Sequence, residues 1–433
     1  MFATFKNAWK IDDLRRKMLF TVMVILLYRL GAQIPVPYVT SSLLASGDAF
    51  AGSIFEYLNW FSGDAFGKAT LFALSVSPYI TAQIVIQLLT VAIPALERMA
   101  KDGDEGQKKI TAITRYTTVA LALITAYGYM SLLSANNWLV EDANWFAKMV
   151  IVACYCGGAS LIMWLSEKIN QYGIGNGISM ILFANIVSGV PSLISEVWTM
   201  TFTAGGFKGF SWLGLIFSIL TVVITFAIIV FIIWFTESER RIPIQYAKRV
   251  VGRKMYGGQS TFLPIKVNMS GVLPIIFAQS IATLPATIVA FTGTGSSSFW
   301  TWMNTYIFDT KSAFYIVCYF LLIIAFSYFY ATIQFNPIEI ANNLKKNGGF
   351  IPGFRPGKPT SDFILKVINK ITLFGALYLA IVAILPIIVG IVIKNGSLAI
   401  GGTSVIIVVG VALETVKSLE AQMLMRHYKG FLE

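Results

Sequence analysis

The feature that most limits the fold of this chain is a series of apolar stretches, each long enough to cross a lipid bilayer. A helix needs about 20 apolar residues to span a hydrocarbon core of roughly 30 Å, and such stretches recur from Lys17 to Glu414. The composition, 56% hydrophobic and 12% charged, lies far from that of soluble domains, which carry roughly 25% charge. We therefore predict an all-α, polytopic membrane protein.

Hydropathy and the polar breaks between the apolar stretches predict ten spans. The first ends at Pro35-Val36-Pro37 without a small-residue cleavage site, which favours a retained helix over a removable signal peptide. The predicted spans are residues 18–34, 76–93, 117–133, 149–165, 177–194, 212–235, 271–291, 313–333, 371–393 and 398–416.

Lysine and arginine fall mainly on one side of these spans, and their excess marks the cytoplasmic side. The termini and alternate loops contain about 27 of the 33 basic residues. The opposite loops contain one each, namely Lys68, Lys148, Lys208, Lys311 and Lys394. A single missed span would erase this bias, so we predict that both termini are cytoplasmic. The net charge of +12 favours anionic lipids or another anionic partner at this face.

Cysteine and histidine give no indication of a disulfide framework or a metal site. Cys154, Cys156 and Cys318 all lie within apolar stretches, where a thiol acts as a small hydrophobic group. His427, the single histidine, has no cysteine, aspartate or second histidine at ligand spacing. We expect no metal and no cofactor.

The segment before the second span, residues 61–74, is moderately apolar but rich in small residues, and it leads into Ser77-Pro78. Proline removes a backbone donor and disfavours a helix before it, so we predict a short half-helix followed by a full one. Non-helical backbone at membrane depth occurs only within protein or beside a water-filled cavity, so a re-entrant segment here indicates a pore. An external loop with an interfacial helix fits this pattern equally well.

Polar side chains interrupt two spans. Gln83, Gln87 and Thr90 fall at i, i+4 and i+7 of the second span and form one stripe. Asn268 precedes the seventh span, which contains Gln279. The default interpretation of any one of them is a contact between helices, at about 0.6 kcal/mol each. Such weak contacts are also easy to break, as an opening seam would require.

Ionisable residues within the spans are limited to Arg29 and Glu414, both near span ends from which a side chain can reach water. Ion-coupled transporters keep ionisable groups at mid-membrane. A membrane enzyme needs a nucleophile with its base, or a carboxylate and histidine cluster. The sequence shows neither pattern. This absence favours a passive channel. A small-solute transporter and an intramembrane enzyme are the alternatives.

Two predicted cytoplasmic loops, residues 237–268 and 336–370, are basic and each about 30 residues long, whereas most connections are far shorter. We predict that they project as docking structures. Solvated hairpins without a partner are the alternative.

Several motifs together resemble the SecY family, the central subunits of the bacterial Sec translocon. They are Phe61-Ser62-Gly63, Pro78-Tyr79-Ile80, Ile86-Gln87-Leu88-Leu89-Thr90, Gly173-Ile174-Gly175-Asn176-Gly177-Ile178-Ser179, Tyr246-Ala247-Lys248-Arg249, Leu263-Pro264-Ile265-Lys266-Val267-Asn268, Phe335-Asn336-Pro337, Asn343-Leu344-Lys345-Lys346 and Pro352-Gly353-Phe354-Arg355-Pro356-Gly357. The similarity extends over nearly the whole chain, and the combination is far more specific than any single motif.

The resemblance implies two pseudo-symmetric inverted halves, residues 1–200 and 201–433, around a central pore. Residues 62–74 then resemble the re-entrant plug helix that seals the external side, with Gly63, Ala65, Phe66, Gly67, Lys68 and Leu71 as its characteristic positions. The family's pore ring corresponds to Val76, Ile80, Ile178, Leu182, Ile276 and Ile407. Family members tend to have isoleucine where this chain has Val76 and Leu182.

The resemblance also implies a lateral gate between the second and seventh spans, which would contain Gln83, Gln87, Thr90, Asn268 and Gln279. The two large loops match the family's docking sites for the ribosome and for the motor ATPase SecA. Arg249 and Arg355 are the foremost docking candidates. The full docking set is Arg240, Arg241, Lys248, Arg249, Arg253, Lys254, Lys345, Lys346 and Arg355.

The expected activity is therefore passive conduction. Unfolded secretory proteins would cross the bacterial cytoplasmic membrane, and membrane proteins would leave sideways into lipid. SecA or the translating ribosome would supply the driving force. Signal sequences, nascent polypeptides, anionic lipids and the small membrane subunits SecE and SecG are the other expected partners, and no residue is expected to be catalytic.

Overall fold

The computed structural model describes residues 2–40, 59, 62–140, 144–191, 194–195, 212–246, 249–251, 254–256, 260–269, 271–292, 312–393 and 396–429. Its helices are α1 Phe2–Trp9, α2 Asp12–Gly31, α3 Ser77–Ala92, α4 Pro94–Lys101, α5 Asp104–Ala135, α6 Trp145–Tyr172, α7 Gly177–Ser188, α8 Trp212–Glu237, α9 Leu273–Thr292, α10 Ala313–Gln334, α11 Pro337–Lys346, α12 Lys358–Ile393 and α13 Gly396–Lys429. Its strands are β1 Glu239–Tyr246, β2 Arg249–Val251, β3 Lys254–Tyr256, β4 Ser260–Lys266 and β5 Gly349–Phe350. The predicted helical class is confirmed, although the strands within the two large loops were not predicted.

Only some of these helices are both long and apolar enough to cross a membrane. Among the described residues, four helical stretches are long and apolar enough: α5, α6, α10 continuing into α11, and α12. The pair α3 and α4, bent by 101°, would make a fifth. Helix α7 is apolar but has only 12 residues, and at about 1.5 Å per residue it is too short to cross alone. The count of ten spans stays a prediction.

Several helices extend well beyond the predicted spans. The helix predicted to begin at residue 117 begins at Asp104, and the one predicted to begin at residue 371 begins at Lys358, within the predicted loop 336–370. Asp104 and Glu105 lie in the first turn of α5, where acidic side chains complement the helix dipole. Apolarity marks the part of a helix inside lipid, so it cannot indicate helical turns that continue into water.

The helices pack around one continuous cluster of buried apolar side chains that runs from Val24 on α2 to Leu413 on α13. Helix α3 packs against α5, and α9 contacts both of them. Helix α13 packs against α12, α8 and α7. The chain ends meet as well, because α1 contacts α13. Helices before and after residue 200 therefore share one core.

The glycine-rich segment 173–177 makes a tight connection between α6 and α7. Gly175 has a positive φ of 76°, and a Cβ on Gly177 would lie 2.0 Å from the Ser166 carbonyl oxygen. The Asn176 side chain caps α7 by accepting a hydrogen bond from the Ile178 amide at 3.0 Å. The Ile174 amide donates to Thr21 Oγ1 at 3.1 Å, which ties the turn to α2. The segment is a structural turn that places the residues at the start of α7.

The two large loops that were predicted to be cytoplasmic form one unit. Strand β1 pairs antiparallel with β4 from the same loop and with β5 from the other loop, which gives a sheet with the order β4-β1-β5. Ile242 and Ile265 on this sheet pack with Leu344 on α11 and Ile364 on α12. Burial of their shared apolar side chains joins the two loops, which the sequence did not indicate.

Candidate functional site

The six predicted ring residues lie together in the centre of the molecule. Each is at most 7% exposed, and all belong to the same buried cluster. They come from four elements: Val76 and Ile80 from the start of α3, Ile178 and Leu182 from α7, Ile276 from α9 and Ile407 from α13. The spacing of four residues in the first two pairs puts both members on one helix face. We call this buried apolar set of six side chains the constriction.

Segment 62–74 packs directly against this constriction. Ala65 and Phe72 share a buried cluster with Val76 and Ile80. Phe66, Ala69 and Leu74 pack in a second cluster, formed with α5 and α6. Of the other predicted plug residues, Leu71 is half-buried, and Lys68 is exposed.

The predicted plug helix is not regular in the structure. Residues 62–74 form a series of hydrogen-bonded turns instead. The reason is the backbone: Gly63, Asp64, Ala69 and Ser75 all have positive φ, from 46° to 68°, and a right-handed helix cannot continue through such residues. The prediction of a half-helix here was wrong, whereas Pro78 does lie in the first turn of α3, as expected.

Neighbouring helices hold this irregular segment by hydrogen bonds to its backbone. The Tyr129 hydroxyl on α5 donates to the Phe66 carbonyl at 2.5 Å, and the Tyr155 hydroxyl on α6 donates to the Ala69 carbonyl at 3.4 Å. The Leu71 amide donates to the Ile34 carbonyl at 2.9 Å. Buried backbone groups outside regular structure need such partners, and here side chains from distant helices supply them.

Two glycines let the segment approach the helices closely. A Cβ on Gly158 of α6 would lie 2.0 Å from the Leu71 carbonyl oxygen. A Cβ on Gly31 of α2 would lie 2.1 Å from the Phe72 ring. Any larger residue at either position would force segment 62–74 away from the helix bundle.

Arg29, near the end of its predicted span, makes hydrogen bonds within the protein. Its guanidinium is half-buried and donates hydrogen bonds to the carbonyls of Gly63 at 3.4 Å, Ala184 at 2.7 Å and Asn185 at 3.3 Å. Asn185 Nδ2 in turn donates to Ser75 Oγ at 3.2 Å. Polar groups on α2 and α7 thus contact both ends of segment 62–74. The sequence feature that could have indicated these contacts is the arginine itself, because a charged side chain inside an apolar span is costly unless it has partners.

A cavity of about 660 Å³ adjoins the constriction. Its lining includes Ile276 of the constriction and the neighbouring Ile406, together with the charged residues Lys266, Lys417 and Glu414. Two of the predicted gate residues, Gln87 and Asn268, line it as well. The cavity therefore has both apolar and polar walls.

The predicted gate residues lie where α3 faces α9 and α10. Gln87 Oε1 accepts a hydrogen bond from the Tyr330 hydroxyl of α10 at 2.8 Å. Thr90 Oγ1 donates to the Gln87 carbonyl at 2.7 Å, and Gln279 Nε2 donates to the Tyr315 hydroxyl at 3.4 Å. Gln83 is half-buried on α3. Tyr330, which the sequence reasoning missed, joins α10 to α3 through its side-chain hydrogen bond.

Charged side chains of both signs lie at the cavity. Lys417 Nζ on α13 lies 2.6 Å from Glu237 Oε1 at the end of α8. Burial, and then the nearby Lys417 ammonium, lower the pKa of Lys266. Glu414 lines the same cavity as the two lysines, so the charges there are balanced between basic and acidic side chains.

The predicted docking residues are mostly exposed where they are described. Arg240, Arg241, Lys345, Lys346 and Arg355 are solvent-exposed, and Arg241 pairs with Glu239 at 2.7 Å. The side chains of Arg249 and Lys254, and both Lys248 and Arg253, lie outside the described part of the structure. The sheet β4-β1-β5 joins the strand that contains Arg240 to the loop that contains Arg355.

Metal ligation is not indicated by the part of the chain that the structure describes. It contains no group of three or more histidine, cysteine, aspartate or glutamate side chains that could hold an ion. The cysteines are free thiols. Within the same described residues, nothing in the geometry provides a nucleophile with an adjacent base.

Comparison with solved structures agrees with this architecture. A structure described as that of a protein conducting channel has a TM-score of 0.64 and 19% identity, covering 94% of this chain and 92% of its own. Canine Sec61 in a ribosome–channel complex has a TM-score of 0.59 and 16% identity, with the same coverage. At such identities the likeness shows the fold.

Comparison of sequences identifies the family. The SecY family pattern matches residues 70–416. The protein translocase subunit SecY of Streptomyces scabiei is 42% identical over 450 residues, and the match covers 100% of both chains. Similarity of this extent shows that the chain belongs to the SecY family.

Proposed function

We propose that this chain is the pore-forming subunit of a protein translocase, through which unfolded polypeptides cross a bacterial cytoplasmic membrane. The observation that carries the proposal is the constriction: six branched apolar side chains from four helices, packed in one cluster with residues of the turn-rich segment 62–74 and adjoining a partly polar cavity. The name of its Streptomyces relative and the channel with the same fold support this proposal.

The constriction suits this task because of its chemistry. An apolar neck dewets, so hydrated ions do not enter it. Branched aliphatic side chains also offer no hydrogen bonds to a sliding chain, so polypeptides of any sequence can pass. Segment 62–74 acts as the plug, which seals the external side until a polypeptide enters.

The seam between α3 on one side and α9 and α10 on the other acts as the lateral gate. A signal sequence is an apolar helix, so it is stable in lipid once the seam parts. The hydrogen bond between Gln87 and Tyr330 supports this role, because a weak polar contact closes the seam without locking it. Residues 1–200 and 201–433 act as the two halves that separate.

The cytoplasmic sheet and its basic residues act as the docking platform for SecA and for the ribosome. Exposed arginines on both loops support this, since ribosomal RNA and acidic protein surfaces are both anionic. The ribosome is further supported by the canine Sec61 complex, whose fold this chain shares. SecE and SecG complete the assembly, both termini are cytoplasmic, and the channel performs no chemistry of its own.

The test is the conductance of the purified translocase in planar bilayers. Ile80→Asn and Ile276→Asn each place a polar group in the constriction, and we expect resting ion conductance to rise several-fold. Val85→Asn on α3 and Leu284→Asn on α9 are matched controls because these side chains are exposed on the helix surface. Resting conductance of I80N and I276N equal to that of the controls would contradict the assignment of the ring.

Crosslinking gives an independent measurement. Ile80→Cys should form crosslinks with a secretory chain stalled in transit, and Val85→Cys should not. A stalled chain that never contacts Ile80→Cys would refute the proposed path.

A further inference from the structure

The guanidinium of Arg29 connects three separate parts of the chain. It lies near the C-terminal end of α2, and its hydrogen bonds reach Gly63 at the start of segment 62–74 and two carbonyls of α7. Asp64, next to Gly63, adds an electrostatic attraction. A single side chain therefore holds a helix, a helix end and the irregular segment together.

The contact with α7 is the firmer of the two. Ala184 and Asn185 lie near the C-terminal end of a helix that ends at Ser188, where the helix dipole favours a cation. The shortest hydrogen bond, 2.7 Å, goes to Ala184, whereas the bond to Gly63 is 3.4 Å long. Arg29 is thus anchored on α7 and holds segment 62–74 by a weaker contact.

The backbone conformation of Gly63 and its lack of a Cβ allow this contact. Its φ of 62° is in the left-handed region, which glycine adopts without strain. A Cβ at this position would lie 2.8 Å from Arg29 Nη1 and 3.0 Å from Ser188 Oγ. Only glycine leaves room for the guanidinium between segment 62–74 and α7.

We infer that Arg29 is the latch of the channel, a positioning residue that keeps segment 62–74 seated against the constriction while no polypeptide is in transit. This inference deepens the proposed function, on which it rests. The anchored end of the guanidinium stays on α7 when the segment leaves, and the weak bond to Gly63 breaks first. After release, the Gly63 carbonyl can accept a hydrogen bond from water. Release of the segment therefore requires mainly the loss of its contact with Arg29 and of its apolar packing.

The experiment measures resting conductance and export by the complete translocase in one set of preparations. Arg29→Gln removes the charge and most of the donors, and we expect resting conductance to rise about tenfold, which corresponds to about 1.4 kcal/mol. Arg29→Lys keeps the charge but replaces the fork of donors with one ammonium, so its conductance should be intermediate. Arg15→Gln is the control, because Arg15 lies on the same helix and pairs with Asp12 at 2.7 Å, away from segment 62–74.

Gly63→Ala tests the same contact from the other side. Its Cβ displaces the guanidinium, so it should raise conductance as Arg29→Gln does. Gly103→Ala is its control, since Gly103 also has a positive φ, of 72°, but a Cβ at Gly103 would meet nothing within 4 Å among the described residues. The double variant R29Q/G63A should conduct no more than either single variant, because both remove one interaction.

The outcomes separate the latch from the proposed function. If the wild-type translocase exports protein and R29Q has wild-type resting conductance, the latch is refuted and the channel stands. Additive effects in R29Q/G63A would also refute the latch, because the two residues would then act independently. If the wild-type complex exports nothing, the proposed function itself fails.

Discussion

Replacing Tyr330 with phenylalanine should make the seam between α3 and α10 easier to open. The change deletes one hydroxyl, which donates to Gln87 Oε1 at 2.8 Å. The aromatic ring stays, so its packing against Phe277, with ring centroids 5.2 Å apart, is kept. The perturbation is therefore close to the removal of a single hydrogen bond.

The expected magnitude follows from the surroundings of that bond. Hydrogen bonds between membrane helices average about 0.6 kcal/mol, and protein hydrogen bonds in general reach about 1.5 kcal/mol. Gln87 lines the cavity of about 660 Å³, so water can replace the lost partner and no buried acceptor is stranded. We therefore expect the lower end of this range, which is roughly a threefold shift toward the open seam.

The assay is the rate at which a membrane protein with a weakly apolar first helix inserts into proteoliposomes that contain the translocase. Tyr330→Phe should raise this rate about threefold. Tyr328→Phe is the matched control, because Tyr328 is two residues away and its hydroxyl donates to the Asn369 carbonyl at 3.3 Å instead. An unchanged insertion rate for Y330F, or an equal rise for Y328F, would refute the reasoning.

Two further predictions concern the cytoplasmic face. Arg355→Glu should reduce SecA-driven export at least several-fold without changing the amount of channel in the membrane. Lys366→Glu, at an exposed position on α12, is the control and should not reduce export. Normal export by R355E would contradict the docking role. Glu167→Gln weakens its pair with Arg115, in which the closest atoms lie 2.6 Å apart and the Glu167 side chain is 10% exposed. It should lower the thermal unfolding midpoint in detergent by about 2 °C, and an unchanged midpoint would show that the pair contributes nothing.

Local sequence patterns predicted the constriction in part. The spacing of Val76 with Ile80, and of Ile178 with Leu182, predicts a shared helix face, and the structure brings both pairs to one cluster with Ile276 and Ile407. The resemblance to a known family, not the spacing, selected these residues from many similar aliphatic ones. Periodicity alone cannot do so, because nearly every face of a membrane helix is apolar.

Local sequence patterns could not predict the backbone conformation of segment 62–74. Small apolar residues before a proline predicted a half-helix, but the segment consists of turns with several positive φ values. Tyr129 and Tyr155, from helices far along the chain, satisfy its backbone. The contacts of Arg29 could not be predicted for the same reason, since the carbonyls that bind it belong to elements distant in sequence.

Hydropathy and charge along the sequence alone determined that this chain is helical, lies in a membrane and has a basic side, because each of these properties depends on a residue's transfer between water and lipid. Tertiary structure alone decided which residues meet: the apolar constriction, the contacts of Arg29 and the sheet that joins two cytoplasmic loops. The rotation of each helix and the pairing of each strand depend on packing between elements distant in the chain, and no local pattern encodes them.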